Sequence, residues 1–270
     1  MISVAMIGRN EAATLPAALE SVRPYASEIV FVDTGSLDAT PTIAAAYGAR
    51  VSYFDWADDF SSARNFAVSE CSCSWILTLD CDEVLRPTTQ TAQFIDTLER
   101  NKSTLGYTVE ITNHLPNGLK ESHSDIRLFR NIPEISYANP IHESVSASIY
   151  QHRPDQPLDV AGFTIDHDGY SSSERNQQKL VRNLEILRKW IGVDPMEPFA
   201  WYKLGMTLRA VSADESVACL FRSFELLVAR DDRNSFAFRF ELLQALLGPL
   251  REINPPLSQF VQSEGIRAFA

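Results

Sequence analysis

With 270 residues, 45% of them apolar and 22% charged, the chain has material for one large globular domain or two smaller ones. A net charge of −11 excludes the basic face that a nucleic-acid binder needs, and it favours a bridging cation if the ligand carries phosphate. The four cysteines, Cys71, Cys73, Cys81 and Cys219, show neither zinc-site spacing nor a disulfide framework, which points to reduced thiols in the cytoplasm. The N-terminus does not read as a signal segment, and no run approaches the ~18 apolar residues of a membrane helix. The expected location is cytoplasmic, with peripheral membrane contact left open.

Taken in order, residues 2–7 read as a buried strand that ends in Gly8-Arg9-Asn10-Glu11, and residues 12–22 as a helix with Leu15, Leu19 and Val22 at helical spacing. A second strand over 28–32 runs into Asp33-Thr34-Gly35-Ser36-Leu37-Asp38. Gly35 suits a tight turn there, and Thr40-Pro41 opens a helix that closes near Gly48. Residues 51–54 make a third strand, and this β-α-β-α-β rhythm predicts a parallel, doubly wound sheet. Next, Ser61 or Ser62 is expected to cap a helix that carries Phe66 and Val68 inward. Arg64 falls in its first turn, where a cation opposes the helix dipole. Its guanidinium suits a phosphate or a base edge, or an internal ion pair with Asp58 or Asp59.

The run Trp75-Ile76-Leu77-Thr78-Leu79 reads as another buried strand, and it ends in Asp80, Asp82 and Glu83. Ligands of open α/β sheets bind at the carboxyl ends of strands. Asp80 and Asp82 alternate as strand neighbours do, so both can face one crevice, and two hard oxygens suit Mg²⁺ or Mn²⁺ held together with substrate phosphates. The same residues also fit an ordinary acidic turn. A helix is expected over 87–98, then strands over 107–112, 124–129, 141–145 and 160–165, forming a mixed or antiparallel extension. His142-Glu143 falls in the third of these strands, and Asp166-His167-Asp168-Gly169-Tyr170 follows the last.

The polar stretch from Ser171 to Asn176 separates an α/β domain, residues 1–172, from an all-helical region, residues 173–270. Leu180, Leu184, Leu187 and Ile191 form an apolar stripe. The phrase Trp201-Tyr202-Lys203-Leu204-Gly205, with Phe221 beyond it, resembles the opening of a tetratricopeptide repeat, although Leu208 replaces the usual Tyr. A plain helical cap fits these residues as well. Because one repeat cannot bury its apolar face alone, the region is expected to dock on the catalytic domain, a partner, or a second copy in a homo-oligomer.

Together these motifs resemble family 2 glycosyltransferases of the GT-A fold, in the subgroup that carries tetratricopeptide-like helices after the catalytic domain. The resemblance rests on Met6 to Glu11, Val32 to Thr40, Trp56 with Asp58-Asp59-Phe60, Ala63-Arg64-Asn65, and Leu79-Asp80-Cys81-Asp82-Glu83. It continues more loosely through Arg127 to Arg130, Ile141-His142-Glu143 and His167 to Tyr170. Arg9 stands where Lys is common, and Cys81 where Ala is common. The resemblance implies a nucleotide-diphosphate sugar donor, a glycan, lipid or peptide acceptor, and a divalent cation, Mn²⁺ or Mg²⁺. It also implies inversion at the anomeric carbon.

By the same resemblance Arg9, Asn10, Glu11, Asp33, Arg64 and Asp80 bind the donor. Asp33 reads the base and Asp80 lies on the ribose side. Asp82 binds the metal of the Asp-x-Asp motif, with His167 as a further ligand by position. Glu143 is the candidate general base, with Glu83 and Asp168 as alternatives. Two other functions fit less well. A nucleotidyltransferase usually needs a Gly-rich basic loop where Gly8 to Glu11 stands, and a non-catalytic binding module has no need of all these acids.

Overall fold

The computed structural model describes residues 1–115, 118–154, 158–167, 173–233 and 236–269, with the side chains of 173–175 excepted. Asp168, Gly169 and Tyr170, including one of the alternative bases, lie outside the described residues. The chain divides into two compact units, Met1–Ser172 and Ser173–Ala270.

In the first unit, strands β1 (Ile2–Gly8), β2 (Glu28–Asp33), β3 (Arg50–Tyr53) and β4 (Trp75–Thr78) alternate with helices α1 (Leu15–Val22), α2 (Thr40–Ala46) and α3 (Phe60–Ser69). Then come β5 (Glu83–Pro87), α4 (Thr91–Leu98), β6 (Gly106–His114), β7 (Lys120–Arg130), α5 (Ser146–His152) and β8 (Asp159–His167). The eight strands form one sheet in the order β3-β2-β1-β4-β7-β6-β8-β5. The first four are parallel, β7 runs against both β4 and β6, and β8 is parallel to β6. The carboxyl ends of β1, β2, β4 and β8 therefore point to one edge of the sheet.

Strand periodicity explains the two cores. In β1, Ile2, Val4 and Met6 face Leu15, Leu19 and Val22 of α1, while Ala5 and Ile7 face Ala63 and Ala67 of α3. A parallel strand covered on both faces is apolar, and in β1 the one polar side chain, Ser3, is buried with its hydroxyl donating to Glu28 Oε1. Fully buried Phe31 and Trp75 each contribute roughly 1.5–3 kcal/mol of burial free energy.

Several expected elements are displaced. Helix α1 begins at Leu15 rather than residue 12, because Glu11 to Thr14 first makes a turn in which the Thr14 amide donates to the Glu11 carbonyl. Asp59, not Ser61 or Ser62, caps α3, and its carboxylate accepts from the Ser62 amide at 3.0 Å. The helix expected from residue 87 begins at Thr91, and before it residues 83–87 form an additional strand, since all five pair with β8. Pro87 is tolerated because β5 is the last strand of the sheet. Strand β4 stops at Thr78, so Asp80 and Asp82 lie in a turn where the Glu83 amide donates to the Asp80 carbonyl.

The strand expected over 141–145 is absent. Residues 138–145 form a loop with a single bridge, Ala138 to Ser144. His142 sits at φ 56°, a conformation that no strand sustains. Buried Ile141 and Val145 anchor this loop into the core; their apolar character reports burial, not a strand.

The second unit contains only helices among its described regular elements: α6 (Ser173–Val193), α7 (Pro198–Leu208), α8 (Ala213–Val228), α9 (Arg239–Ile253) and α10 (Pro255–Phe269). Each packs on the next in the chain. Ser212 caps α8 by accepting from the Glu215 amide, a Ser-x-x-Glu arrangement at a helix start. Tyr202, Leu220, Phe224, Leu242, Leu246, Val261 and Phe269 form this unit's own core.

Candidate active site

The site is built at the carboxyl edge of the sheet, from the loops that follow β1, β2 and β4 and from the end of β8. The first two loops are stitched together. The Thr34 amide donates to the Gly8 carbonyl at 3.0 Å, and the Asn10 amide to Ser36 Oγ at 2.9 Å. In return the Leu37 amide donates to Asn10 Oδ1 at 2.8 Å, and the Glu11 amide to Thr40 Oγ1 at 2.7 Å. Asn10 adopts φ 59°, which Asn tolerates better than most residues. Of the candidates in this loop, Arg9 is exposed, Asn10 holds the second loop, and Glu11 Oε2 accepts from the Thr14 hydroxyl at 3.1 Å.

Asp33 ends β2 and is 3% exposed. Its Oδ2 accepts the Gly35 and Ser36 amides at 3.0 and 2.9 Å, a turn made possible by Gly35 at φ 103°. Its Oδ1 is buried without a partner, an acceptor at which desolvation is uncompensated. Gly8 is fixed by crowding: a Cβ there would lie 2.7 Å from Cys81 Sγ and 3.0 Å from the Phe31 ring. The Cys81 thiol donates to the Ile7 carbonyl at 3.4 Å, and burial pushes it well above the usual thiol range. Cys81 thus ties the turn after β4 to the end of β1.

The second part of the site is ionic. Arg64 is buried on α3, where its Nε donates to Glu143 Oε1 at 2.6 Å and its Nη2 to Asp80 Oδ1 at 2.8 Å. Its Nη1 is buried without a partner, and its guanidinium lies 5.6 Å from the centre of the Tyr137 ring. Asp58 and Asp59 are not its partners: Asp58 accepts from Trp56 Nε1 at 3.0 Å and Asp59 caps the helix. Asn65, the next residue, holds Tyr137 by two bonds to its backbone at 2.8 and 2.9 Å, which fixes the loop that carries Glu143.

Arg127 enters from β7. Its Nη2 donates to Glu83 Oε1 at 2.8 Å and its Nη1 lies 3.7 Å from Asp80 Oδ2. Burial alone would raise Asp80, but Arg64 and Arg127 outweigh it and hold the carboxyl well below its usual range. Burial would lower Arg64, yet Asp80 and Glu143 keep it firmly charged. Glu83 is 2% exposed, and burial pushes it up to about 7 against the pull of Arg127. Its Oε2 accepts the Asp80 amide at 2.9 Å, so both of its oxygens are committed to structure.

The third part pairs Asp82 with His167, whose Nε2 lies 3.5 Å from Asp82 Oδ2. This contact leads the causes that raise the His167 pKa. No group of three or more His, Cys, Asp or Glu among the described residues is placed to hold a metal ion. One carboxylate and one imidazole fit a cation that takes its remaining ligands from a diphosphate and water, as Mg²⁺ does in such sites.

The structure thus joins Arg64 with Asp80 and Glu143, Asp82 with His167, and Asp33 with the Asn10–Glu11 loop. Sequence reasoning named Arg127 only within a motif and passed over Tyr137 and Asn113. Arg127 had one visible signal: it is a cation inside the apolar run Ile126 to Phe129, where a buried charge requires a partner.

A mixed sheet wound on a parallel four-stranded core, with acids gathered at its carboxyl edge, defines a GT-A-type fold. The crystal structure of Staphylococcus aureus TarS 1–349 with UDP-GlcNAc superposes with a TM-score of 0.54 at 15% identity, over 99% of this chain and 89% of that one. The chain belongs to glycosyl transferase family 2, whose model matches residues 3–156. A TPR repeat-containing protein of Synechococcus elongatus is 35% identical over 211 residues, 76% of this chain and 51% of that protein. The SPbeta prophage-derived glycosyltransferase SunS of Bacillus subtilis is 25% identical over 257 residues, 91% of this chain and 58% of SunS. The chain therefore spans about half the length of the curated relatives it matches. Among the described residues, no helix is long and apolar enough to cross a membrane.

Proposed function

We propose that the chain transfers a sugar from a uridine-diphosphate donor to a nucleophilic acceptor, with inversion and with a divalent cation. The reading rests on one observation above all: Asp33 presents a buried, unpartnered carboxylate oxygen at the strand edge where the Asp82–His167 pair also stands. An orphaned acceptor suits the ring N–H of a pyrimidine base, and UDP is the nucleotide bound by the TarS homologue in fold.

In this reading Asp33 Oδ1 orients the base, and the Asn10–Ser36 stitching keeps both loops in place before the donor arrives. Asp80, pinned by two arginines, meets the ribose. Asp82 and His167 would hold Mn²⁺ or Mg²⁺, which supplies Lewis-acid stabilisation to the departing diphosphate. The acceptor heteroatom forms its bond to the anomeric carbon as the bond from that carbon to the diphosphate oxygen breaks. The electron pair leaves with the diphosphate, and the acceptor's proton passes to a carboxylate.

Glu143 is the carboxylate we assign to that proton. Arg64 fixes its Oε1, while Oε2 has no protein partner among the described residues. Glu83 does not suit the role, because it is buried with both oxygens taken, by Arg127 and the Asp80 amide. The four cysteines are free thiols, which accords with a cytoplasmic setting. Choice among glycan, lipid and peptide acceptors, and any self-association, we assign to the helical unit. Its tetratricopeptide-like reading rests on Trp201 to Gly205 and on the name of the Synechococcus relative.

The test is a panel of nucleotide sugars incubated with Mn²⁺, read by release of nucleoside diphosphate. Release from a UDP-sugar, lost in excess chelator and in Glu143→Gln, is the expected result. Release of pyrophosphate from UTP and a sugar phosphate would instead establish a nucleotidyltransferase. Binding without any turnover would establish a non-catalytic module.

A further inference from the structure

Asn113 is the last but one residue of β6, and the sheet register places it beside His167 of β8. On the other side of His167 stands Glu83 of β5. His167 Nδ1 lies 2.7 Å from Asn113 Oδ1, and Asn113 Nδ2 lies 3.3 Å from Nδ1 of His123 on β7. An amide oxygen only accepts, so the short contact requires the proton of His167 to be on Nδ1. In this amide orientation the Asn113 amino group donates to His123 Nδ1.

From this geometry we infer that Asn113 is a positioning residue for the cation: it holds His167 as the Nδ1–H tautomer with Nε2 directed to the space shared with Asp82. The inference rests on the proposed metal role of Asp82 and His167. An imidazole binds a metal through an unprotonated nitrogen, and a partner for the opposite N–H fixes both tautomer and ring orientation. In the other tautomer Nε2–H would donate to Asp82, tying up both ligands at once. Asn113 therefore decides whether the Asp82–His167 contact, 3.5 Å long, is a closed hydrogen bond or a pair able to receive a cation.

The experiment uses the full chain at a pH where the nitrogen-15 shifts show His167 neutral, since Asp82 raises its pKa. Nitrogen-15 NMR of the metal-free protein reads the His167 tautomer, and calorimetry with UDP present reads Mn²⁺ affinity. Wild type is expected to show the Nδ1–H form. Asn113→Leu should weaken Mn²⁺ binding by about 10- to 100-fold, the effect of losing such an outer partner. Asn113→Asp, which keeps an acceptor, should bind within a few-fold of wild type.

An Nε2–H tautomer in wild type overturns the inference. So does unchanged Mn²⁺ affinity in Asn113→Leu when Asp82→Asn loses binding. If wild type binds no Mn²⁺ with UDP present, the metal reading itself falls and takes this one with it. Thermal unfolding of each variant separates these outcomes from misfolding.

Discussion

The Asp33 turn and the Asp80 cluster stand on either side of β1, and they are built by opposite means. Asp33 accepts the amides of residues two and three positions on. Asp80 and Glu143 are held by Arg64 across 16 and 79 residues, and Glu83 by Arg127 across 44. The first is local turn chemistry that needs only Asp and Gly at the right offset. The second is an ionic lattice that exists only once α3, β7 and the 138–145 loop have met. Local construction leaves Asp33 Oδ1 to spare, whereas in the lattice Asp80, Glu83 and Glu143 each give an oxygen to an arginine.

The ionic lattice depends most on Arg64. Arg64→Ala strands Asp80 and Glu143 in a partly buried site, and should destabilise the protein by about 3–5 kcal/mol in urea unfolding, the cost of removing one partner from a buried ion pair. Arg64→Lys keeps the charge but loses the fork, and should cost less. A loss below about 1 kcal/mol in the alanine variant would mean that the lattice holds nothing together.

Asp82 lies outside both constructions, so its removal should touch catalysis and spare stability. Asp82→Ala is expected to lower turnover by about 10²–10³-fold, the scale of losing one electrostatic stabiliser of a leaving group. Its unfolding midpoint should match wild type. Full wild-type turnover in excess chelator would remove the metal from the mechanism.

At Asp33 a milder change suffices. Asp33→Asn keeps an oxygen for the Gly35 and Ser36 amides but replaces the spare acceptor with a donor. UDP affinity by calorimetry should fall by about 1.5–3 kcal/mol, the range for a hydrogen bond to a charged group. Unaltered affinity would reduce Asp33 to a turn residue.

The smallest effect belongs to the far edge of the sheet. Burial would raise Glu28, but the Ser3 hydroxyl and the Ser72 amide and hydroxyl outweigh it and lower its pKa to about 2. A carboxyl depressed on folding stabilises above its unfolded value, near 4.5, and loses that contribution as pH falls toward about 2. Melting temperatures of wild type should therefore drop across this window more steeply than those of Glu28→Gln. Parallel curves would show that the Ser3 and Ser72 bonds add no acid-side stability.

The parallel core, and the acids that stand at its carboxyl edge, are legible in the amino-acid sequence. Apolar runs bounded by Gly, Pro and Asp report a strand and its end within a few residues, and both turn and strand obey local rules. Residues 83–86 carried no strand signal, and 141–145 did not form the strand expected there. The strand β5 exists because β8 offers it a ladder, and the 138–145 loop is buried without being a strand. Tertiary structure alone decided that Arg64 answers Asp80 and Glu143 rather than Asp58 or Asp59, that Arg127 joins them, and that Asn113 stands beside His167. Charges in a chain state that partners are required; which partners, at separations of 16 to 79 residues, is settled only by the packing that brings them within bonding distance.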